Sequence, residues 1–171
     1  MHVRRGFLVT RRTADTVTDR VILRDVVDAD LPTLFAQQMD PEANRMAAFP
    51  ARERDAFMAH WARIRIDATV IINAILFGGR VAGNIGSYER DDRRLIGYWI
   101  GREFWGRGIA TAALADFLGH DRTRPLQAFV AKQNAASIRV LEKCGFTRCN
   151  VNGSASVVGD DGVEELLFSI A

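Results

Sequence analysis

"FWGRGIATAAL", residues 104–114, sets two glycines around an arginine and follows them with good helix formers. A glycine loop that opens a helix is suited to hold an anion. The first N–H groups of a helix have no partner inside it. They carry partial positive charge, and glycine lets a phosphate come close to the backbone. Gly106 and Gly108 give that approach, and Arg107 adds charge. Before the loop, "LIGYWIG" (95–101) reads as a strand; after a helix to about Leu118, "LQAFVAK" (126–132) reads as another. Strand, loop, helix and strand form a crossover, so these two strands are expected to be parallel.

The same reading extends outward. "RVILRDV" (20–26) is a β-branched strand, and "DADLPTLFAQQM" (28–39) carries the acids and proline of a helix start. "PARERDAFMAHWARIRI" (50–66) places Phe57, Trp61 and Ile64 on one helical stripe. "TVIINAILF" (69–77) and "VAGNIGSYE" (81–89) flank "GGR" as a hairpin, and the charged turn "RDDRR" (90–94) leads into strand 95–101. "NAASIRVLEKCG" (134–145) is a short helix with Asn134 as N-cap and Gly145 as its stop. "FTRCNV" (146–151) and "VEELLFSI" (163–170) are the last strands. The predicted fold class is α+β, a mixed α/β arrangement: a central, mostly antiparallel sheet of about seven strands flanked by four helices.

Bulk properties narrow the function. The 171 residues fit one domain, and 48% hydrophobic residues can build a core. A net charge of +2 makes no case for nucleic acid, and no apolar run reaches membrane-spanning length. Residues 1–17 read as a basic extension with Arg4, Arg5, Arg11 and Arg12, and 18–171 as the single domain. A basic tail is favoured over a transit peptide; with no secretory signal, the expected location is cytoplasmic. Cys144 and Cys149 have neither C-x-x-C spacing nor a nearby His, so buried thiols are expected and no metal.

Two phosphate loops are excluded by composition. A Walker loop needs G-x-x-x-x-G-K-S/T, and no lysine precedes Lys132. A dinucleotide loop needs G-x-G-x-x-G and a later acid for the ribose. Here Thr111 stands at the third glycine and the next strand ends at Ala131 and Lys132. The pyrophosphate of coenzyme A is left. At this point "GYWIGREFWGRGIATAAL" (97–114) followed by "NAASIRVLEKCGF" (134–146) resembles the GNAT superfamily of acyl-CoA-dependent N-acyltransferases. Within it, "TDRVILRDVVDADLPTLF" (18–35) and "MDPEANRM" (39–46) resemble the branch of Rim-type ribosomal-protein N-acetyltransferases. The resemblance covers roughly residues 18–170.

The resemblance implies acetyl-CoA as co-substrate, no metal, and a primary amine as acceptor, on a protein N-terminus or a small molecule. The superfamily loop is Gln/Arg-x-x-Gly-x-Gly/Ala. Gly108 and Ala110 match its last positions, and Trp105 replaces the first, as is common in this branch. Trp105, Gly106, Arg107, Gly108, Ile109, Ala110 and Thr111 would then hold the pyrophosphate through backbone amides. Ile100 would pair with the pantetheine arm, Asn134 would hydrogen-bond it, and Ser137 would lie near the thioester sulfur.

Direct attack of an amine on a thioester needs loss of a proton from the amine, a donor for the oxyanion and a hydrogen bond to the departing thiolate. Similar proteins often take the last from a tyrosine in the helix after the asparagine. Here Leu141 occupies that place, so Ser137 is the catalytic candidate. Glu89 is the candidate base, at the end of a strand from which similar proteins project one; it also reads as the start of the charged turn. A late glutamate used by some Rim-type proteins falls here at about Ser156. His60 and His120 have no catalytic partner in the sequence and read as structural. The resemblance places the acceptor against residues 39–61, with Asn44, Arg45, Met46 and Phe49 as candidate contacts; Arg45 would favour an anionic acceptor. A homodimer is admitted by the resemblance. The competing reading is an acyl-CoA-binding regulatory protein with a degenerate catalytic centre.

Overall fold

The computed structural model describes residues 20–150, 154, 156–159 and 162–171; the basic extension expected at 1–17 lies outside them. The chain runs through β1 (Val21–Asp25), α1 (Leu31–Gln38), α2 (Pro41–Ala47), α3 (Arg54–Ile64), β2 (Ile71–Phe77), β3 (Arg80–Arg90) and β4 (Arg93–Ile100). It continues with α4 (Ile109–His120), β5 (Leu126–Ala131), α5 (Ala135–Lys143), β6 (Thr147–Cys149), β7 (Val157–Val158) and β8 (Glu164–Ile170). The sheet order is β1-β2-β3-β4-β5-β8-β6, with β7 also on β8. Among the described residues only β4 and β5 pair in parallel, as expected for the crossover through α4.

The sequence reading counts four helices; α2 is a fifth α-helix. Its stop-start signal is local. The Asp40 carboxylate accepts from the Ala43 N–H at 2.9 Å and Pro41 occupies the first turn. That cap closes α1 and restarts the chain in a new direction. The reading also missed the two-residue strand β7, which holds to β8 through Val157 and Val158.

Strand alternation divides the core between the two faces of the sheet. Ala74 joins Val26, Leu34, Phe57 and Trp61 under α1 and α3. Its neighbour Ile75 points the other way, to Ile85, Ile96, Leu114, Phe117 and Phe168 under α4 and α5. Each such fully buried large side chain contributes about 1.5–3 kcal/mol. The stripe of Phe57, Trp61 and Ile64 is thus core.

One polar network is buried within these layers. Asp121, 2% exposed, follows α4. It accepts from the Ser87 hydroxyl at 2.5 Å, and Arg94 donates to Ser87 at 2.8 Å while its Nε lies 3.5 Å from Asp121. Arg94 also donates to the Thr69 carbonyl. Burial pushes the Asp121 carboxyl up, but the bonds from Ser87 and Thr123 and the charge of Arg94 hold it below its ordinary value. The network ties the end of α4 to β3 and β4 and thereby sets the position of the helix's other end.

Candidate active site

β4 and β5 are paired only at Arg94–Leu126 and Leu95–Gln127. Beyond Leu95 the two strands separate, and α4 and α5 flank the opening. The Gly101 N–H donates to the Ala82 carbonyl at 2.8 Å, across to β3. Alternation then turns the N–H and C=O groups of Ile100 and Tyr98 away from β3 and into the gap. A cavity of about 580 Å³ occupies it.

One end of the cavity is the quoted loop. Gly106 and Gly108 have φ of +75° and +73°, the left-handed region that L side chains avoid. The first intrahelical bond of α4 runs from the Ala112 N–H to the Gly108 carbonyl at 3.0 Å. The N–H groups of Ile109, Ala110 and Thr111 therefore have no intrahelical acceptor. The Trp105 indole donates to the Ile100 carbonyl at 2.8 Å and folds the loop back against β4. Three cations line the cavity: Arg107, and Arg139 and Lys143 one turn apart on α5.

The other end is a hydroxyl pair. Asn134 caps α5, its Oδ1 accepting from the Ser137 N–H at 3.0 Å. This fixes Ser137 in the first turn. The Tyr98 hydroxyl lies 2.6 Å from Ser137 Oγ and 3.2 Å from the Ser137 carbonyl. Burial pushes the Tyr98 phenol up to about 12, against the opposing effect of its bond to Ser137.

Every expected coenzyme contact lies on this cavity: Ile100, Trp105 to Thr111, Asn134, and Ser137 with them. Of the acceptor candidates, Met46 faces it, beside Ala43 and Ala47 on α2. Phe49 packs edge-on against Trp99, a wall residue, with ring centroids 6.4 Å apart. Asn44 and Arg45 do not face it, and Arg45 is ion-paired to Glu42 at 2.6 Å on the exposed side of α2. Glu89 is not brought to Ser137. The register sets Glu89 opposite Arg94, whereas Tyr98 stands opposite Ile85. Four residues of strand separate the two levels, about 13 Å. Glu89 borders a different hollow with Asp91, Arg93 and Arg124.

Sequence reading missed Tyr98, Arg139 and Lys143 as site residues. Tyr98 sat inside the quoted "GYWIG", and its alternation with Ile96 was the available signal. Ser156 hydrogen-bonds Glu164 at 2.6 Å, away from this cavity.

Among the described residues no helix is long and apolar enough to cross a membrane, and no group of His, Cys, Asp and Glu could hold a metal ion. The sequence matches the acetyltransferase (GNAT) domain family over residues 20–147. Over 100 residues it is 36% identical to YdaF of Bacillus subtilis (strain 168), which bears the name of a ribosomal N-acetyltransferase. That match takes in 54% of this chain and 55% of YdaF, so it spans about half the length of the relative. A structure of RimL, a ribosomal L7/L12 α-N-protein acetyltransferase with coenzyme A, superposes with a TM-score of 0.72 at 17% identity, covering 90% of this chain and 95% of RimL. Spermidine N-acetyltransferase from Vibrio cholerae, with CoA and spermine, gives 0.73 at 15% identity, covering 90% and 96%. At such identities the likeness is one of fold. The chain belongs to the GNAT acetyltransferase family.

Proposed function

We propose that the protein is an acetyl-CoA-dependent N-acetyltransferase acting on a primary amine in a single ternary complex. The carrying observation is the gap between β4 and β5, which runs from the glycine loop of α4 to the Tyr98–Ser137 pair. It suits a long ligand with an anion at one end and a polar reactive group at the other. The pyrophosphate takes the N–H groups of the loop, with Arg107, Arg139 and Lys143 adding charge. The arm of the coenzyme extends the sheet along Tyr98 and Ile100, and the side-chain NH2 of Asn134 is left to donate to it, since Oδ1 caps α5.

The amine nitrogen attacks the thioester carbon, the C–S bond breaks, and the thiolate leaves. A backbone N–H of β4 facing the gap donates to the oxyanion. Either hydroxyl of the pair can be the donor; in the arrangement this scheme uses, Tyr98 donates to Ser137 Oγ and the serine proton points at the sulfur. The phenol does not give up its own proton. Burial raises the phenol and makes it a weaker acid than an ordinary thiol. The ammonium gives its first proton to water before attack, and the proton that ends on sulfur is the one lost by the nitrogen of the tetrahedral adduct, directly or through water. Glu89 has no part in this scheme.

Protein N-termini and small amines both fit; the names of YdaF, RimL and the spermidine enzyme support each. We extend the reading to a cytoplasmic enzyme, because acetyl-CoA is drawn from the cytoplasmic pool, and to a homodimer, for which light scattering is the check. The test is a thiol-release assay with acetyl-CoA over peptides, polyamines, amino acids and aminoglycosides, beside calorimetry with acetyl-CoA, ATP and NAD. Turnover on at least one amine, with acetyl-CoA bound most tightly, is expected. Coenzyme binding with no turnover on any amine favours the regulatory binding protein, and tighter ATP or NAD binding overturns the assignment.

A further inference from the structure

Arg45 is paired to Glu42 on the exposed side of α2 and does not line the cavity. A different set of cations lies behind the cavity wall, on the far side of Phe49 and Trp99. The Arg52 guanidinium lies 4.9 Å above the Phe49 ring, and Phe49 rests on Trp99 of the cavity wall. The backbone of Arg52 is clamped by Gln38, itself 7% exposed: Nε2 donates to the Arg52 carbonyl at 2.8 Å and Oε1 accepts from its N–H at 3.3 Å. Two more groups come from α3. Arg63 Nη2 donates to His60 Nδ1 at 3.4 Å, which leaves the proton of a neutral imidazole on Nε2, a further donor.

These groups repel one another. Burial lowers the Arg52 guanidinium below its ordinary value, and Arg63 lowers it further. Burial lowers His60 as well, followed by the charges of Arg52 and Arg63. Among the described residues no carboxylate comes within ion-pair distance of Arg52 or Arg63; Asp67, which feels the charge of Arg63, is hydrogen-bonded to Thr69. Like charges partly withdrawn from water without a counter-ion are unfavourable by themselves, and a bound anion relieves them.

We infer that the amine acceptor carries an anionic group, a carboxylate or a phosphate, which Arg52, Arg63 and His60 hold behind the cavity wall while the amine reaches past Trp99 to the thioester. This specifies the acceptor class and rests on the N-acetyltransferase reading. Phe49 serves as the aromatic floor that keeps the Arg52 fork in place.

The test measures binding and turnover separately, on the full chain loaded with coenzyme A or acetyl-CoA. The probes are the tetrapeptide amides Ala-Xaa-Xaa-Ala, with Xaa as Glu, Gln, Lys or phosphoserine. The Glu or phosphoserine peptide is expected to bind about tenfold more tightly than the Gln peptide, with the Lys peptide weakest. The stronger of the two acidic peptides distinguishes a carboxylate from a phosphate. Arg52→Gln and the more exposed Arg63→Gln should each reduce the preference while acetyl-CoA affinity and Tm hold. Equal binding of all four peptides, or an acidic preference that survives in both variants, overturns the inference. An Arg-dependent acidic preference without acetyl transfer keeps the inference and removes the catalytic reading. Turnover without charge preference does the reverse.

Discussion

Removing a single oxygen tests the chemistry most directly. Tyr98→Phe keeps the ring, which packs against the core, and deletes only the hydroxyl 2.6 Å from Ser137 Oγ. A hydrogen bond of this kind is worth about 1 kcal/mol net to folding, so the loss of stability should be near that value. The effect on catalysis should be larger in relative terms. A hydrogen bond to a charged group is worth about 1.5–3 kcal/mol. If Ser137 makes it to the developing thiolate, Ser137→Ala should lower kcat by about 10- to 100-fold. Tyr98 acts on that bond by orienting and polarising the serine, so Tyr98→Phe should lower kcat by about tenfold, with little change in KM for acetyl-CoA. The double variant is decisive. When two groups act through one bond, their effects do not add. Tyr98→Phe in the Ser137→Ala background should cost less than about twofold more. The assay is thiol release at saturating acetyl-CoA and amine, with Tm recorded for each variant. Full activity in Tyr98→Phe, or multiplicative effects in the double variant, would refute the pairing.

Two further perturbations probe the frame around that pair. Gly108→Ala places a side chain in open space but at a φ of +73°, so the change acts through backbone strain of about 1–2 kcal/mol and should weaken acetyl-CoA roughly tenfold by calorimetry; unchanged affinity would show that the loop is not the pyrophosphate grip. Asp121→Asn leaves Arg94, its side chain 9% exposed, without a counter-charge, and should cost about 3–5 kcal/mol, seen as a Tm lower by roughly 10 °C. The sign with pH follows from the lowered Asp121 value. The unfolded chain binds this proton more readily, so the stabilisation is complete above the ordinary carboxylate range near pH 4 and is lost as pH falls through the depressed folded value. Asp121→Asn should show a shallower acid limb in denaturant titrations; an unchanged limb would mean that other carboxylates carry the acid sensitivity.

Local signals accounted for much of the architecture. The glycine loop, the Asn134 cap and the Gly145 stop are contacts among neighbours in the chain, and each is where the sequence placed it. So is the apolar stripe of α3, since helical period alone puts Phe57, Trp61 and Ile64 together. The glycine-loop end of the cavity was legible for the same reason: the N–H groups it leaves free are consecutive in the chain. Even the restart at α2 had a local cue in Asp40–Pro41, and so did the neutralisation of Arg45 by a glutamate three residues away.

Register and crossover decided the rest. Glu89 and Tyr98 are both on the central hairpin, and alternation cannot say which level of β4 meets α5. The pairing of Glu89 with Arg94 sends the glutamate to the far end of the hairpin and leaves Tyr98 at the mouth of the gap. Tyr98 then meets Ser137 across 39 residues of chain. No short-range pattern encodes that distance, because the contact exists only once α4 has carried the chain over the sheet and β5 has parted from β4. The same holds for Arg52, His60 and Arg63, whose shared lack of an acid shows only when a loop and a helix face are brought together. The sequence by itself determined the fold class and the glycine loop that opens α4, since neighbouring residues write those interactions. The hydroxyl pair and the grouping of Arg52 with His60 and Arg63 belong to tertiary structure, where strand register and helix packing choose which distant side chains meet.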